Sequence, residues 1–480
     1  MNPERTRLMV GVYVGVMRWG LSMLAGMGVS LSGLELAVEV EEEVYTYDSA
    51  NNGAGPMWCH GSTCLVRDGE EVYASGLETL EGAKPLNNCR WFLLRRVDGG
   101  WKRVLVDEVD RTREPSPLVT FGGGRVLLSA NPTLALGEYS GAARPQILEF
   151  RFGGDSRRGY ELYPWLPKWG GRPEFTEHSY RSFAADGERG ELILFQNVGY
   201  THAEWAFLDR RGEWSARGQL KWPWGAGYAK PEPIRVCYPN VAVVEGAVYF
   251  CGVSDIIEPN PEWRAFKKEL TGQQWDYDFR RLFFTWTPDV RTEGFREWVE
   301  VASRESTCGW ITPGDLHVGE DGVVHVLWSE RALDERLRDR FYPGEKQRHA
   351  LEYARVRDGK VVMRRTLVEL KEGEDGAVPG RGRFHVTPDG KLWVVYYASG
   401  SGVDALGRDR TGNWVVEVLP DGSLGELARV PLKVSFGDFF TASMRAGNRS
   451  SWKLDLLGTQ SGKVNTMSYA CIRLGDGGER

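Results

Sequence analysis

Two of the chain's seven histidines share a spacing. His60, in WCHGSTCLVRDGEEVYA, and His178, in EHSYRSFAADGERGELILF, each stand eight residues before an Asp-Gly pair followed by an alternating, strand-like pattern. Side chains of these types can move protons. An imidazole has an unperturbed pKa of about 6.5 and suits a base near neutrality. Tyr238, in a Tyr-Pro pair, can donate a proton, and arginine binds a carboxylate through parallel N–H donors. Counting back from successive turns places Ser62, Tyr180, Asp315 and Arg383 six residues ahead, with Arg235 and Tyr238 of EPIRVCYPN near the same level. His202 lies in QNVGYTHAE, read as a loop on the same face. Alternate residues of a strand share one side, so these groups would converge on one mouth. His178, His202 and Tyr238 are the candidate catalytic groups. Arg235, Arg181, Tyr180, His60, Asp315 and Arg383 are the candidate substrate contacts. Arg181 and Tyr180 are neighbours facing opposite sides, and the count favours Tyr180 as the one that faces the mouth. His317 and His385, four residues before their turns, read as structural.

The elements that must position them are hairpins. Turns at Asp68-Gly69, the FGGG run from Phe121 to Gly124, Asp186-Gly187, Glu245-Gly246, Asp321-Gly322 and Asp389-Gly390 are each flanked by strand patterns such as ELILFQ and KLWVVYY. Glycine supplies the positive φ that such turns need. The repeat of roughly 50 to 80 residues fits a four-stranded blade with long loops. A seventh unit, from DFFTASMRAG onward, offers three strands, and LELAVEVEEEVYTY at 34–47 can supply the fourth and close the ring. The expectation is an all-β, seven-bladed β-propeller over 34–475, with six or eight blades as the counting alternatives. The long links between second and third strands would emerge on one face, where binding and chemistry usually sit.

Composition agrees with that class: 19 Trp, 18 Tyr and 59 Gly favour short strands and glycine turns. A net charge of -6 offers no global positive field for nucleic acid or anionic lipid, so no nucleic-acid partner is expected. Seven scattered cysteines make no disulfide scaffold; Cys237 and Cys251 read either as a cross-strand bridge or as two buried core residues. No ligand spacing marks a metal, and no cofactor is expected. Residues 1–33, a short basic leader followed by an apolar, small-residue stretch, read as a secretory signal peptide or an N-terminal anchor. A secreted or periplasmic monomer acting on an acidic polysaccharide or oligosaccharide is therefore the expectation.

The order of His178, His202 24 residues later, and Tyr238-Pro239 opening the next blade resembles the propeller polysaccharide lyases of the BNR-repeat superfamily, the ulvan and rhamnose-glucuronate lyases. The resemblance implies histidines around a uronate with one as base, the tyrosine as base or acid, and an arginine about sixteen residues after the tyrosine to neutralise the carboxylate. That position is Ser254, beside Asp255, which passes the role to Arg181 or Arg235. Elimination from a 4-linked uronate removes the C5 proton and expels the C4 oxygen, so it needs a base, an acid and a carboxylate partner. LDRRGEWSARG and RDRTGNWVVEV resemble degenerate Asp-box hairpins, which leaves a sialidase-like glycoside hydrolase as one alternative. A non-catalytic carbohydrate- or protein-binding propeller is the other.

Overall fold

Every glycine turn read from the sequence closes an antiparallel hairpin. The pairs are Leu65–Asp68 with Glu71–Thr79, Leu118–Gly122 with Arg125–Ala130, Ser182–Asp186 with Glu191–Val198, Val236–Val244 with Ala247–Ser254, Trp310–Val318 with Val324–Arg331, and Val378–Val386 with Leu392–Ser399. In the computed structural model, which describes residues 34–153, 159–403, 407 and 409–475, two more strands extend each hairpin to a four-stranded sheet. Seven such sheets form a ring, a seven-bladed β-propeller. The last blade is built from Phe436–Thr441, Lys453–Gln460 and Thr466–Gly475, and the N-terminal strand Glu35–Thr46 pairs with Thr466–Gly475 as its outermost member. This closure leaves no open end to the ring of blades. The leader-like stretch 1–33 lies outside the described residues.

Burial follows strand position. Glu191–Val198, second in blade three, is buried along almost its whole length, whereas the outermost strand Trp214–Lys221 alternates between covered and exposed residues. Continuous apolar runs therefore mark strands packed on both faces, and alternation marks the rim. All seven cysteines are buried free thiols. Cys237 lies opposite Val253 and Cys251 opposite Asn240, across a bulge, and they form no bridge.

Two segments plug the propeller's axis. Residues 58–63, expected to begin blade one's inner strand, are not strand; the inner strand starts at Leu65. They cross the central opening instead. Phe183 N of blade three donates to Ser62 Oγ (3.0 Å), Arg383 Nη1 of blade six donates to the His60 carbonyl (2.9 Å), and Thr63 Oγ1 donates to the Thr441 carbonyl (2.8 Å). Gly61 passes so close to blade four that a Cβ there would sit 2.0 Å from the Pro239 carbonyl oxygen, and no other residue fits. From blade seven, residues 441–448 cross in the same way: Thr120 N and Ala185 N donate to the Ala446 and Arg445 carbonyls, and a Cβ at Gly447 would meet Thr120 O at 2.0 Å. Between the plugs, Arg445 pairs with Asp315 through Nη2 (2.6 Å) and Nε (2.8 Å) and donates to Gly61 O (2.8 Å) and Asn240 Oδ1 (3.1 Å). Asp315 Oδ2 also accepts from Phe384 N (2.9 Å).

The other link expectations are corrected in two places. His178 also precedes its strand, which begins at Ser182, so both histidines sit on the entry segments to inner strands rather than on the strands. Blade three's second and third strands are joined by a three-residue turn, 199–201, because Glu191–Val198 and His202–Leu208 pair up to the Val198–His202 rung. His202 is thus the first residue of a third strand, not a loop residue. Blade four carries the largest excursion, with the helix Pro261–Thr271 started by the Asn260 side chain, which accepts from Glu262 N and Trp263 N. Its buried Lys267 pairs with Glu258 (2.8 Å) and Asp276 (2.9 Å), and Arg280 grips both oxygens of Glu258 at 2.9 Å, tying the excursion to the strand beyond it.

Candidate functional site

The entry segments of successive inner strands meet around the plug made by residues 58–63. Blade one's brings Trp58 and His60, blade two's brings Arg113 and Glu114, and blade three's brings His178 and Tyr180. In blade four the strand itself is bulged: Cys237 pairs with Val253 and Asn240 with Cys251, leaving Tyr238 and Pro239 opposite the single residue Gly252. The bulge turns Tyr238 out of the pleat and into the mouth. Blade six repeats the device, with Pro379 paired to Ala398 and Gly382 to Tyr396, and this bulge presents Arg381.

Both tyrosines hold backbone conformations that a side chain rarely adopts, Tyr180 at φ 37° and Tyr238 at φ 48°. Such outliers cost of order 1–3 kcal/mol each and persist where the surroundings over-determine them. Here the surroundings are aromatic. Trp58 stacks on Tyr180 (5.8 Å between ring centres) and meets Tyr238 edge-on (5.6 Å). His178 lies 4.6 Å from Tyr180, His60 lies 5.0 Å from Tyr238, and the two tyrosines are 5.1 Å apart. Tyr238 then leads to Phe279 (6.1 Å) and Phe279 to Trp310 of blade five (4.6 Å), a continuous aromatic floor.

Each mouth histidine is held by an arginine. Arg113 Nη1 is 2.8 Å from His178 Nδ1, and Arg381 Nη1 is 2.8 Å from His60 Nδ1. A guanidinium only donates, so in both contacts Nδ1 accepts and Nε2 carries the proton. The two sites differ in what else is present. Beside His60, Arg381 is anchored by Asp438 (2.6 Å), and burial together with the charges of Arg381 and Arg383 pushes the imidazole well below its usual pKa. His60 is therefore a fixed neutral donor. Beside His178, the carboxylate Glu114 Oε1 lies 3.4 Å from the same Nδ1. Burial alone would raise the Glu114 carboxyl, but hydrogen bonds from His178 and Ser179 and the charges of His178 and Arg181 hold it below the usual range. Nδ1 of His178 thus faces both a donor, Arg113, and an acceptor, Glu114, so either neutral tautomer of the ring finds a partner, and its side chain is 26% exposed.

The remaining expected contacts fall elsewhere. His202 bonds within its own blade, to Glu204 (3.1 Å) and Thr201 (2.8 Å), and among the described residues no contact joins it to His178 or Tyr238. Its neighbour Tyr200 reaches the rim instead, 3.8 Å over Arg235 and 3.1 Å from the Tyr277 hydroxyl. Arg235 is buried between Tyr180 and Tyr200 and ion-paired with Asp255 (2.5 Å). Arg181 is 2% exposed, beneath the mouth, and donates to the Pro115 carbonyl (2.7 Å). Asp315 and Arg383 belong to the axial core. Phe283 and Phe284, in the strand Arg281–Thr287, are core, while Phe279 just ahead of it lies on the floor of the mouth. Among the described residues no group of three or more His, Cys, Asp or Glu side chains is placed to hold a metal ion.

No family model matches the chain, and no curated protein matches it. Solved structures do. An ulvan lyase of polysaccharide lyase family 25 aligns with 91% of this chain and 94% of its own at 9% identity and a TM-score of 0.48. The polysaccharide lyase Uly1 aligns with 92% of this chain and 94% of its own at 11% identity and a TM-score of 0.49. An α-L-arabinanase from Penicillium chrysogenum aligns with 91% of this chain and 98% of its own at 12% identity and a TM-score of 0.40. At these identities the likeness is one of overall architecture.

Proposed function

We propose that the chain is a carbohydrate-active propeller that cleaves a uronate-containing saccharide by β-elimination. The observation that carries this reading is His178, held between Arg113 and Glu114 and packed against Tyr180 beside Tyr238. A substrate carboxylate that takes over Arg113 lets His178 adopt its other tautomer: the partly exposed ring gives its Nε2 proton to solvent and takes one from solvent at Nδ1, which then donates to Glu114 and leaves the lone pair on Nε2. That nitrogen then removes the C5 proton. The C–H electrons form the C4–C5 double bond, the C4–O bond breaks, and the leaving oxygen takes the proton of the Tyr238 hydroxyl. His60, held by Arg381 with its Nε2–H as donor, packs against the Tyr238 ring (5.0 Å) as a neutral neighbour of the acid group. Binding energy spent on the carboxylate thus acidifies C5 and arms the base in one event. The arginines a sialidase-like design would need are committed elsewhere, Arg235 to Asp255 and Arg383 to backbone carbonyls. The leader-like 1–33 favours action outside the cytoplasm, where burial would shield all seven thiols.

Incubation with a panel of uronate polysaccharides is expected to generate the ultraviolet absorbance of an unsaturated uronate. New reducing ends without that absorbance would make the protein a hydrolase, and binding without either product would make it a binding module. Within the lyase reading, Glu114→Gln is expected to lower kcat by roughly a hundredfold, part of the 10²–10⁴-fold that general-base catalysis supplies, with KM little changed. A KM rise at unchanged kcat would assign Glu114 to substrate binding instead.

A further inference from the structure

The aromatic floor has a cation at each end. At the blade-one end the Arg113 guanidinium lies over Trp58 (6.0 Å). At the blade-five end the Arg331 guanidinium lies over Trp310 (5.3 Å). The second stack is set by register: Trp310 opens the inner strand, Arg331 ends the next one, and the two are cross-strand partners at the loop-bearing end of the blade. Arg331 stands out among the arginines around it. Arg304 and Arg348 both pair with Glu330, Arg336 with Asp334 and Asp276, and Arg338 with Glu335 and Glu372. Arg331, half-buried, has no carboxylate partner among the described residues, and its Nε is buried without a hydrogen-bond acceptor. Arg331 thus keeps N–H donors free of any carboxylate, with a buried Nε that lacks an acceptor, at a place where every neighbouring arginine is already paired.

We propose that Arg331 and Trp310 form a second anionic subsite, so that the mouth takes an oligosaccharide carrying at least two acid groups rather than a single uronate. This rests on the acidic-saccharide reading above. Between the two cations the floor runs in three ring-to-ring steps of 5.6, 6.1 and 4.6 Å through Tyr238 and Phe279. Sugar rings stacking along it would carry one acid group to Arg113 beside His178 and a later one to Arg331. Trp310 supplies the ring face and Arg331 a two-donor fork for carboxylate or sulfate.

Calorimetric titration with β-1,4-linked oligoglucuronates of two and six residues tests this. Wild type is expected to bind the hexamer at least tenfold more tightly than the dimer. Arg331→Ala is expected to remove that length dependence by weakening the hexamer about tenfold, with Arg331→Lys intermediate and Trp310→Ala similar to Arg331→Ala. Unchanged melting temperatures would show that the fold is intact. A hexamer affinity that Arg331→Ala leaves unaltered, while Arg113→Ala reduces it, overturns the second subsite and spares the first. Failure of wild type to bind either oligoglucuronate or dextran sulfate removes the acidic-saccharide reading and this inference with it.

Discussion

Tyr238→Phe is expected to lower turnover on a uronate polysaccharide by about 10²–10⁴-fold, the span that a positioned proton donor supplies, with oligosaccharide affinity nearly unchanged. The substitution deletes one oxygen. The ring contacts to Trp58, His60, Tyr180 and Phe279 all survive, so packing and melting temperature should hold. Burial pushes the Tyr238 hydroxyl well above its ordinary pKa, and the Asp255 charge pushes the same way. The phenol is therefore protonated across the neutral range, which suits the acid that protonates the leaving oxygen and excludes a standing phenolate base. Steady-state kinetics on the Phe variant checks the role: full activity would remove Tyr238 from the chemistry. Tyr180→Phe is the contrast. Tyr180 is more deeply buried and its ring packs under the Arg235 guanidinium (5.0 Å), a contact the Phe ring keeps, so loss of its hydroxyl is expected to cost turnover less than the loss of the Tyr238 hydroxyl.

The architecture was legible because each blade repeats one local signal, a glycine turn between two apolar runs, and local signals survive in sequence. The site was legible only in part. The eight-residue count that singled out His60 and His178 also lands on Arg113, ahead of Phe121 in blade two, and on Arg381, ahead of Asp389 in blade six. Applied to every blade rather than to histidines alone, the count would have named both arginines that hold the histidines. Glu114 is then found by adjacency to Arg113. Two things hid from any such count. Tyr238 and Arg381 lie in bulges, and the mouth residues of blades one to three lie on entry segments ahead of the strands, whereas Asp315 and Arg383, six residues before their turns, sit in unbroken strand register below their own bulges and so lie on the axis and not in the mouth. The plugs, moreover, are made by residues 58–63 and 441–448, far apart in sequence and joined only by ring closure. His202 misled for a simpler reason. Its surrounding glycine and threonine read as a loop, whereas the Val198–His202 pairing makes them a tight turn at the end of a strand.

Asp315→Ala is expected to cost about 3–5 kcal/mol of stability, the penalty for leaving one partner of a buried ion pair behind. Asp315 is 1% exposed and is the carboxylate that meets Arg445 on the axis, with Arg383 close enough for its own charge to respond to both. Arg383 is 2% exposed, and burial holds its guanidinium down to about 10 despite the Asp315 charge. Without Asp315 two guanidiniums would share it, and Phe384 N would lose its acceptor. Urea unfolding of Asp315→Ala, of Arg445→Met and of the double variant separates the causes. If the cost is an orphaned charge, the double variant recovers much of what Asp315→Ala loses, since apolar replacement of a whole buried pair is often close to neutral. If the losses simply add, the axial residues act through packing alone. The same variants report on the site, because Arg445 also donates to the Gly61 carbonyl, one residue from His60. Loosening that bond frees the plug made by residues 58–63, and the segment carrying Trp58 and His60 should lose its hold on the Tyr238 ring. Asp315→Ala is therefore expected to weaken oligosaccharide binding even under conditions where it stays folded, whereas a purely structural core pair would leave binding untouched until the protein unfolds.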